Sequence, residues 1–301
     1  MTATVPPIAG RTIQHAPAPQ LEPGFWLPAW SLCLRELVRF VRQRTRIVGA
    51  LLQPFIFWIL FGAGLGGTFK PPAWAPQGMT YQEYFLPGVA VLILLFTAIF
   101  STISIIEDRR EGFLQAVLVS PIPRASLVLG KIGGGTVLAF AQAVIFLLIG
   151  PALRFVGLAP QMNLSLSVGD ALAVGGFLVL EGFALTSIGY VMAWPLESTQ
   201  GYHALMSVIL MPMWLLSGSF FPVPPSGWLS WVMRLNPLTY GVIGLQRFLF
   251  AHSYGPGQAA PAATATLPGV SMCVAVTLCF SAIAFGVAVW LTGRRSVRNA
   301  R

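Results

Sequence analysis

Six predominantly apolar runs of about twenty residues recur along the chain, each bounded by charge, proline or glycine. That is the length an α-helix needs to cross the hydrocarbon core of a bilayer. They cover 47–67, 84–106, 132–153, 170–194, 203–221 and 268–291. The runs are continuously apolar and do not alternate with period two, so spanning helices are expected and barrel strands are not. Ahead of them, residues 25–46 follow a helical period: Phe25, Trp26 and Trp30 lead into Arg35, Arg39, Arg42 and Arg46, which share one face. Leu34, Leu37, Val38 and Val41 lie opposite. This pattern predicts a helix lying in the membrane interface, its basic side toward lipid headgroups or a cytoplasmic partner. The same arginines would also serve as a plain topology anchor.

Two connections depart from the spanning pattern. In 107–131, five of the first six residues are charged (Glu107, Asp108, Arg109, Arg110, Glu111), then Gly112 precedes Phe113, Leu114, Val117 and Leu118 at helical spacing. A short amphipathic helix is predicted, stopped by Pro121 and Pro123. Such a helix could press into a groove on a soluble partner, or be an ordinary solvated loop. The second is 217–250, where Pro222, Pro224, Pro225 and Pro237 forbid one continuous span. Trp228 and Trp231 suit the headgroup level. Either a helical hairpin dipping in from outside or a plain interfacial loop fits this composition.

Composition removes whole classes of function. Of 301 residues, 55% are hydrophobic and 9% charged, with mean hydropathy +0.75. A soluble globule needs roughly a quarter of its residues charged, so an all-α integral membrane protein is expected. The net charge of +9 comes without any nucleic-acid-binding motif, and it reports orientation instead. Fourteen of the eighteen bases fall in alternate compartments that include both termini and 107–131. The positive-inside rule places those in the cytoplasm. Residues 1–24 are expected as a disordered cytoplasmic tail, 47–292 as the six-span domain, and 293–301 as a basic cytoplasmic tail. Proline, alanine and arginine usage points to a bacterial plasma (inner) membrane.

No catalytic constellation stands out. Cys33, Cys273 and Cys279 have no metal-ligand spacing, His15, His203 and His252 are scattered, and no metal site is expected. Gly130-Lys131 is followed by Ile132, so the chain lacks a phosphate-binding loop. Glu181 lies mid-span, where an ionised carboxylate costs at least about 2.5 kcal/mol. It could meet a cationic or hydroxyl-bearing substrate, or bond a neighbouring helix while protonated. Met206, Met211, Met213 and Trp214, with Pro212, make the fifth span bulky and kinked, suited to an apolar substrate path or to ordinary packing.

The run from Glu107 through Glu111-Gly112, Ser120-Pro121, Pro123-Arg124 and Gly130-Lys131 resembles the coupling segment of type-2 ATP-binding-cassette exporter permeases, in the drug-resistance and nodulation-factor export branch. The Asn236-Pro237-Leu238-Thr239-Tyr240 segment resembles the same family. The likeness covers nearly the whole chain. It implies a non-enzymatic membrane subunit paired with a second, usually identical permease and with cytoplasmic ATPases that carry ATP and Mg. It further implies that Glu107, Asp108, Arg109, Arg110, Glu111, Gly112, Pro121, Arg124 and Lys131 form or brace the ATPase contact, with the interface helix as its second side. Asn236, Pro237 and Tyr240 would shape an outer gate. Glu181, Met211 and Trp214 are candidates for the substrate path, and a drug, lipid or lipid-linked glycan is the expected cargo. An ion-gradient carrier and a non-transporting recruitment subunit are the alternatives.

Overall fold

A computed structural model describes residues 24–72, 74–76, 78–162, 164, 166–251 and 267–298. The expected tail at 1–24 lies, apart from Gly24, outside the described residues, as do His15 and His252. The described residues hold ten α-helices and no strand: α1 Trp26–Arg42, α2 Arg44–Leu65, α3 Tyr81–Arg110, α4 Phe113–Val119, α5 Arg124–Ala152, α6 Val168–Ala193, α7 Thr199–Trp214, α8 Trp228–Leu235, α9 Pro237–Leu249 and α10 Val270–Arg298. A 3-10 turn continues α5 through Val156 and a π turn, Leu215–Ser219, continues α7. Six of these rods are long and apolar enough to cross a membrane, and each overlaps one of the apolar runs. The chain is a multi-pass, all-helical membrane protein.

The helices outrun the apolar stretches at the end of the bundle that carries α4. There α3 continues through Arg110, α5 begins at Arg124 and α10 continues through Arg298. Arginine is a good helix former and no proline interrupts these extensions, while Gly130 and Gly293 are carried within the helices. The basic residues expected as a tail at 293–301 therefore ride, as far as Arg298, on the last helix. The opposite end is defined by caps: Thr80 and Glu83 close a capping box on α3, and Ser167 and Asp170 another on α6.

Helix α3 is the axis of the bundle. It is buried along most of its length against α2, α5 and α6. Helix α1 lies across the start of α5, an approach that glycine makes possible. A Cβ at Gly130 would stand 2.6 Å from the Ala29 carbonyl oxygen, and one at Gly134 would stand 2.7 Å from Glu36 Cβ. Small residues four apart let the two backbones close up. The buried face of α1 is thus Ala29, Leu32, Cys33, Glu36 and Phe40, while Trp26, Leu27, Trp30, Leu34, Val38 and Val41 are exposed.

A break at Gln43 (φ −96°, ψ 71°) separates α1 from α2. The single basic face expected across 35–46 therefore ends at Arg42, and Arg46 belongs to the spanning helix.

At the far end, α7 gives way to the π turn, and Gly218 reverses the chain at φ +83°. Three side chains tie this reversal to α3: Tyr84 Oη donates to the Gly218 carbonyl at 2.5 Å, Tyr81 Oη to the Phe220 carbonyl at 3.0 Å, and Trp214 Nε1 to the Gly88 carbonyl at 2.8 Å. Two helices, α8 and α9, then meet at Asn236, whose Oδ1 accepts from Leu238 N at 3.1 Å while Pro237 opens α9. The segment 217–250 is thus largely helical, with Trp228 and Trp231 exposed on α8 and α9 buried against α3, α6 and α10.

Candidate functional site: a charged joint beside the short helix

Helix α4 begins at Gly112, whose left-handed φ of +79° turns the chain sharply off the end of α3. Its Leu114 is buried and Val119 is exposed, so one face packs down and the other is free. Pro121 and Pro123, both exposed, carry the chain to half-buried Arg124 at the start of α5. The expected short amphipathic helix is seven residues long and stands at the end of two spanning helices.

Beside it lies a cluster of opposite charges drawn from three helices. Asp108, with a side chain 0% exposed, accepts from Arg35 Nη2 at 2.6 Å and Nη1 at 3.0 Å in a bidentate fork. It also accepts from Arg39 Nη1 and from Lys131 Nζ, each at 2.5 Å. Lys131, 2% exposed, donates to Glu36 Oε1 at 2.7 Å and to Ser104 Oγ at 3.3 Å. Arg39 reaches outward to Glu107 at 2.9 Å and Glu111 at 3.1 Å. The Arg35 guanidinium lies 3.7 Å over the Phe113 ring, joining α1 to α4 by a cation–π contact. Burial works against the Arg35 charge, but its bonds to Asp108 outweigh that, and the guanidinium is held above the ordinary arginine value.

This arrangement changes the reading of the basic helix face. Arg35 and Arg39 turn inward onto carboxylates of α3, because the buried Asp108 cannot be left without cations. Exposed Arg42 stands outside the network. Asp108 and Lys131 are interior as well, so neither presents a charge to a partner; they brace the short helix from beneath. Arg109 and Arg110 diverge to the connection after α6. Arg109 donates to the carbonyls of Leu196 at 2.8 Å and Trp194 at 2.6 Å, and Arg110 Nε to that of Glu197 at 3.0 Å.

The surface left free around α4 carries Glu111, Gly112, Gln115, Val119 and Pro121. It borders an open cleft of about 650 Å³ lined by Ser31, Leu34, Arg35, Val38, Arg39, Arg42, Gln43 and Glu111.

The remaining candidates are scattered. Glu181 is buried, its carboxylate directly against Gly241 of α9 and beside Thr277 of α10. Trp214 is packed onto α3, and Met211 is half-buried on α7. Asn236 Nδ2 donates to the Met213 carbonyl at 2.5 Å and Tyr240 Oη to that of Arg234 at 3.0 Å, so both hold α8 and α9 in place. Among the described residues no group of three His, Cys, Asp or Glu could hold a metal ion.

Pattern reading missed Glu36. Its signal was the stripe Ala29, Leu32, Cys33, Glu36, Phe40 at helical spacing, with one acid among apolar residues.

Comparison with known proteins identifies the architecture. A family model described as ABC-2 type transporter matches residues 29–250. The chain belongs to that ABC-2 family. The match runs from α1 through α9, so the whole charged joint lies inside it.

Among its relatives, this ABC-2 permease is 29% identical over 227 residues to the transport permease ycf38 of Cyanophora paradoxa, covering 74% of this chain and 73% of that one. It is 24% identical to the daunorubicin resistance ABC transporter permease protein DrrB1 of Streptomyces coeruleorubidus, covering 68% and 69%. It is 21% identical to the inner membrane transport permease YadH of Escherichia coli K12, covering 74% and 82%.

Proposed function

We propose that this permease is the membrane subunit of an ATP-driven exporter in a bacterial inner membrane, with both termini and α4 in the cytoplasm. It pairs with an identical copy and with two cytoplasmic ATPase subunits that bind ATP and Mg. The observation that carries this reading is α4 itself: a short helix with a free outer face, held at the end of two spanning helices by buried charge. Such an element can transmit rigid-body motion. Residues 1–301 hold no phosphate-binding loop, which fits a hydrolysing site on a separate subunit. Glu111 and the exposed side of α4 form the ATPase contact, and α1 supplies a second side while its exposed Trp26, Trp30, Leu34 and Val38 rest in lipid.

Closure of the ATPases on ATP moves α4 and biases the bundle toward an outward-open state, releasing an amphipathic cargo such as a drug, a lipid or a lipid-linked glycan. Helices α8 and α9 shape the outer exit.

The test is purification of the tagged chain from its native cell, followed by reconstitution with the ATPase that accompanies it. A stoichiometric ATPase, lost in Glu111→Arg with Val119→Asp, and ATP-dependent movement of an amphipathic dye are expected. A chain that purifies alone, with dye movement driven by a proton gradient, would replace this reading with the carrier alternative.

A further inference from the structure

Burying three charges, Glu36, Asp108 and Lys131, and half-burying Arg35 and Arg39 beside them is costly in a chain where only 9% of residues are charged, and the cost is concentrated at one junction. Hydrophobic packing would have held α1 against α5 without it, since Ala29, Leu32 and Cys33 already lie on Gly130, Gly133 and Gly134. Gly130 and Gly134 seat α1 on α5, and the ion pairs extend that fixed register to α3. Apolar faces can slide along each other with little change in energy. A carboxylate that must reach one ammonium cannot.

The joint also crosses elements in a particular order. Glu36 sits on α1, Asp108 one residue past Glu107 near the end of α3, and Lys131 two turns into α5. Lys131 Nζ bonds both carboxylates, so it links α1 and α3 from α5. The peptide that leaves α3 as α4 re-enters as α5, so both roots of α4 are clamped to α1.

We infer that Glu36, Asp108 and Lys131 are positioning residues that make α1, α4 and the roots of α3 and α5 one rigid body, so that displacement of α4 reaches the spans and is not lost as sliding of α1 over α5. This deepens the export reading and rests on it for its consequence, although the rigidity itself does not. Salt-bridge networks with discrete arrangements are a physical means of carrying such coupling.

The test uses Glu36→Gln with Lys131→Met in the full chain. This pair removes one charge of each sign and leaves Asp108 with Arg35 and Arg39, so the protein is expected to remain folded and to keep its ATPase. ATP hydrolysis is then expected near the wild-type rate, with cargo moved per ATP reduced about fivefold or more. The second readout is the distance distribution between spin labels at exposed Leu27 on α1 and exposed Val119 on α4, in a background with Cys33, Cys273 and Cys279 replaced by alanine. One narrow distribution is expected in the otherwise native chain and a broadened one in the double variant.

Should the double variant not fold, Glu36→Gln alone, which keeps Lys131 on Asp108, is read in the same way. An unchanged yield per ATP with an unchanged distribution in a folded variant would overturn the inference. If the native chain with its ATPase moves no cargo, the export reading falls, and the label distributions still decide whether the joint is rigid.

Discussion

Charge at the joint is graded by burial, and the gradation predicts how substitutions will rank. Asp108 accepts from three cations with its side chain closed to solvent, whereas the Glu111 side chain is 58% exposed and meets Arg39 alone. Removing one partner of a buried network leaves uncompensated charge, at roughly 3–5 kcal/mol, while an exposed pair contributes about 0–1 kcal/mol. Asp108→Ala is therefore expected to lose most of its monodisperse protein in detergent, and Glu111→Ala to be indistinguishable from the native chain in the same chromatogram. Thermal melts at low and high salt add a check, because screening reaches the Arg39–Glu111 bond and not the buried Asp108. A second residue-scale prediction concerns Gly130. A side chain there meets the Ala29 backbone, which cannot swing aside, so Gly130→Val should lower stability by about 1–3 kcal/mol and detach α1. Limited proteolysis within 26–42 would report the detachment.

At the scale of single elements, α4 separates structure from contact. Leu114 is 2% exposed and Val119 is 85% exposed on the same seven-residue helix. Leu114→Ala should cost about 2–5 kcal/mol, and Val119→Asp should leave the melting temperature unchanged while weakening capture of the ATPase in a pull-down. The position of α4 was legible because charge, glycine, an apolar period and prolines follow each other in 107–123. The orientation of α1 was not. Its sequence carries two apolar stripes, one through Leu34, Val38 and Val41 and another through Ala29, Leu32, Cys33 and Phe40. Which of them meets protein is decided by Gly130 and Gly134 on α5, a hundred residues away, and no local pattern reports that. The same reason hid Glu36, whose partner Lys131 lies 95 positions along the chain. Asn236, Pro237 and Tyr240 were legible as a special place, yet Asn236 and Tyr240 donate to the backbone carbonyls of Met213 and Arg234, which sequence does not point to.

For the whole molecule, the asymmetry of charge and the asymmetry of structure fall at the same end. The chain's buried ion network, α4 and the arginine-rich starts or ends of α1, α2, α3, α5 and α10 cluster there. The opposite end is tied by tyrosine and tryptophan hydrogen bonds to backbone carbonyls. Lipid headgroups and the positive-inside rule act on the first pattern, so the α4 end should face the cytoplasm. Single cysteines in a background lacking Cys33, Cys273 and Cys279 test this directly. Val119→Cys, at the end of α4, should react with a membrane-impermeant maleimide only after the cell membrane is opened. Leu158→Cys, exposed in the connection between α5 and α6, should react in intact spheroplasts. The two positions are separated by one spanning helix, so they must behave oppositely in any orientation. The reverse result would place α4 outside, beyond the reach of cytoplasmic ATP, and would remove the physical basis for an ATPase acting through it.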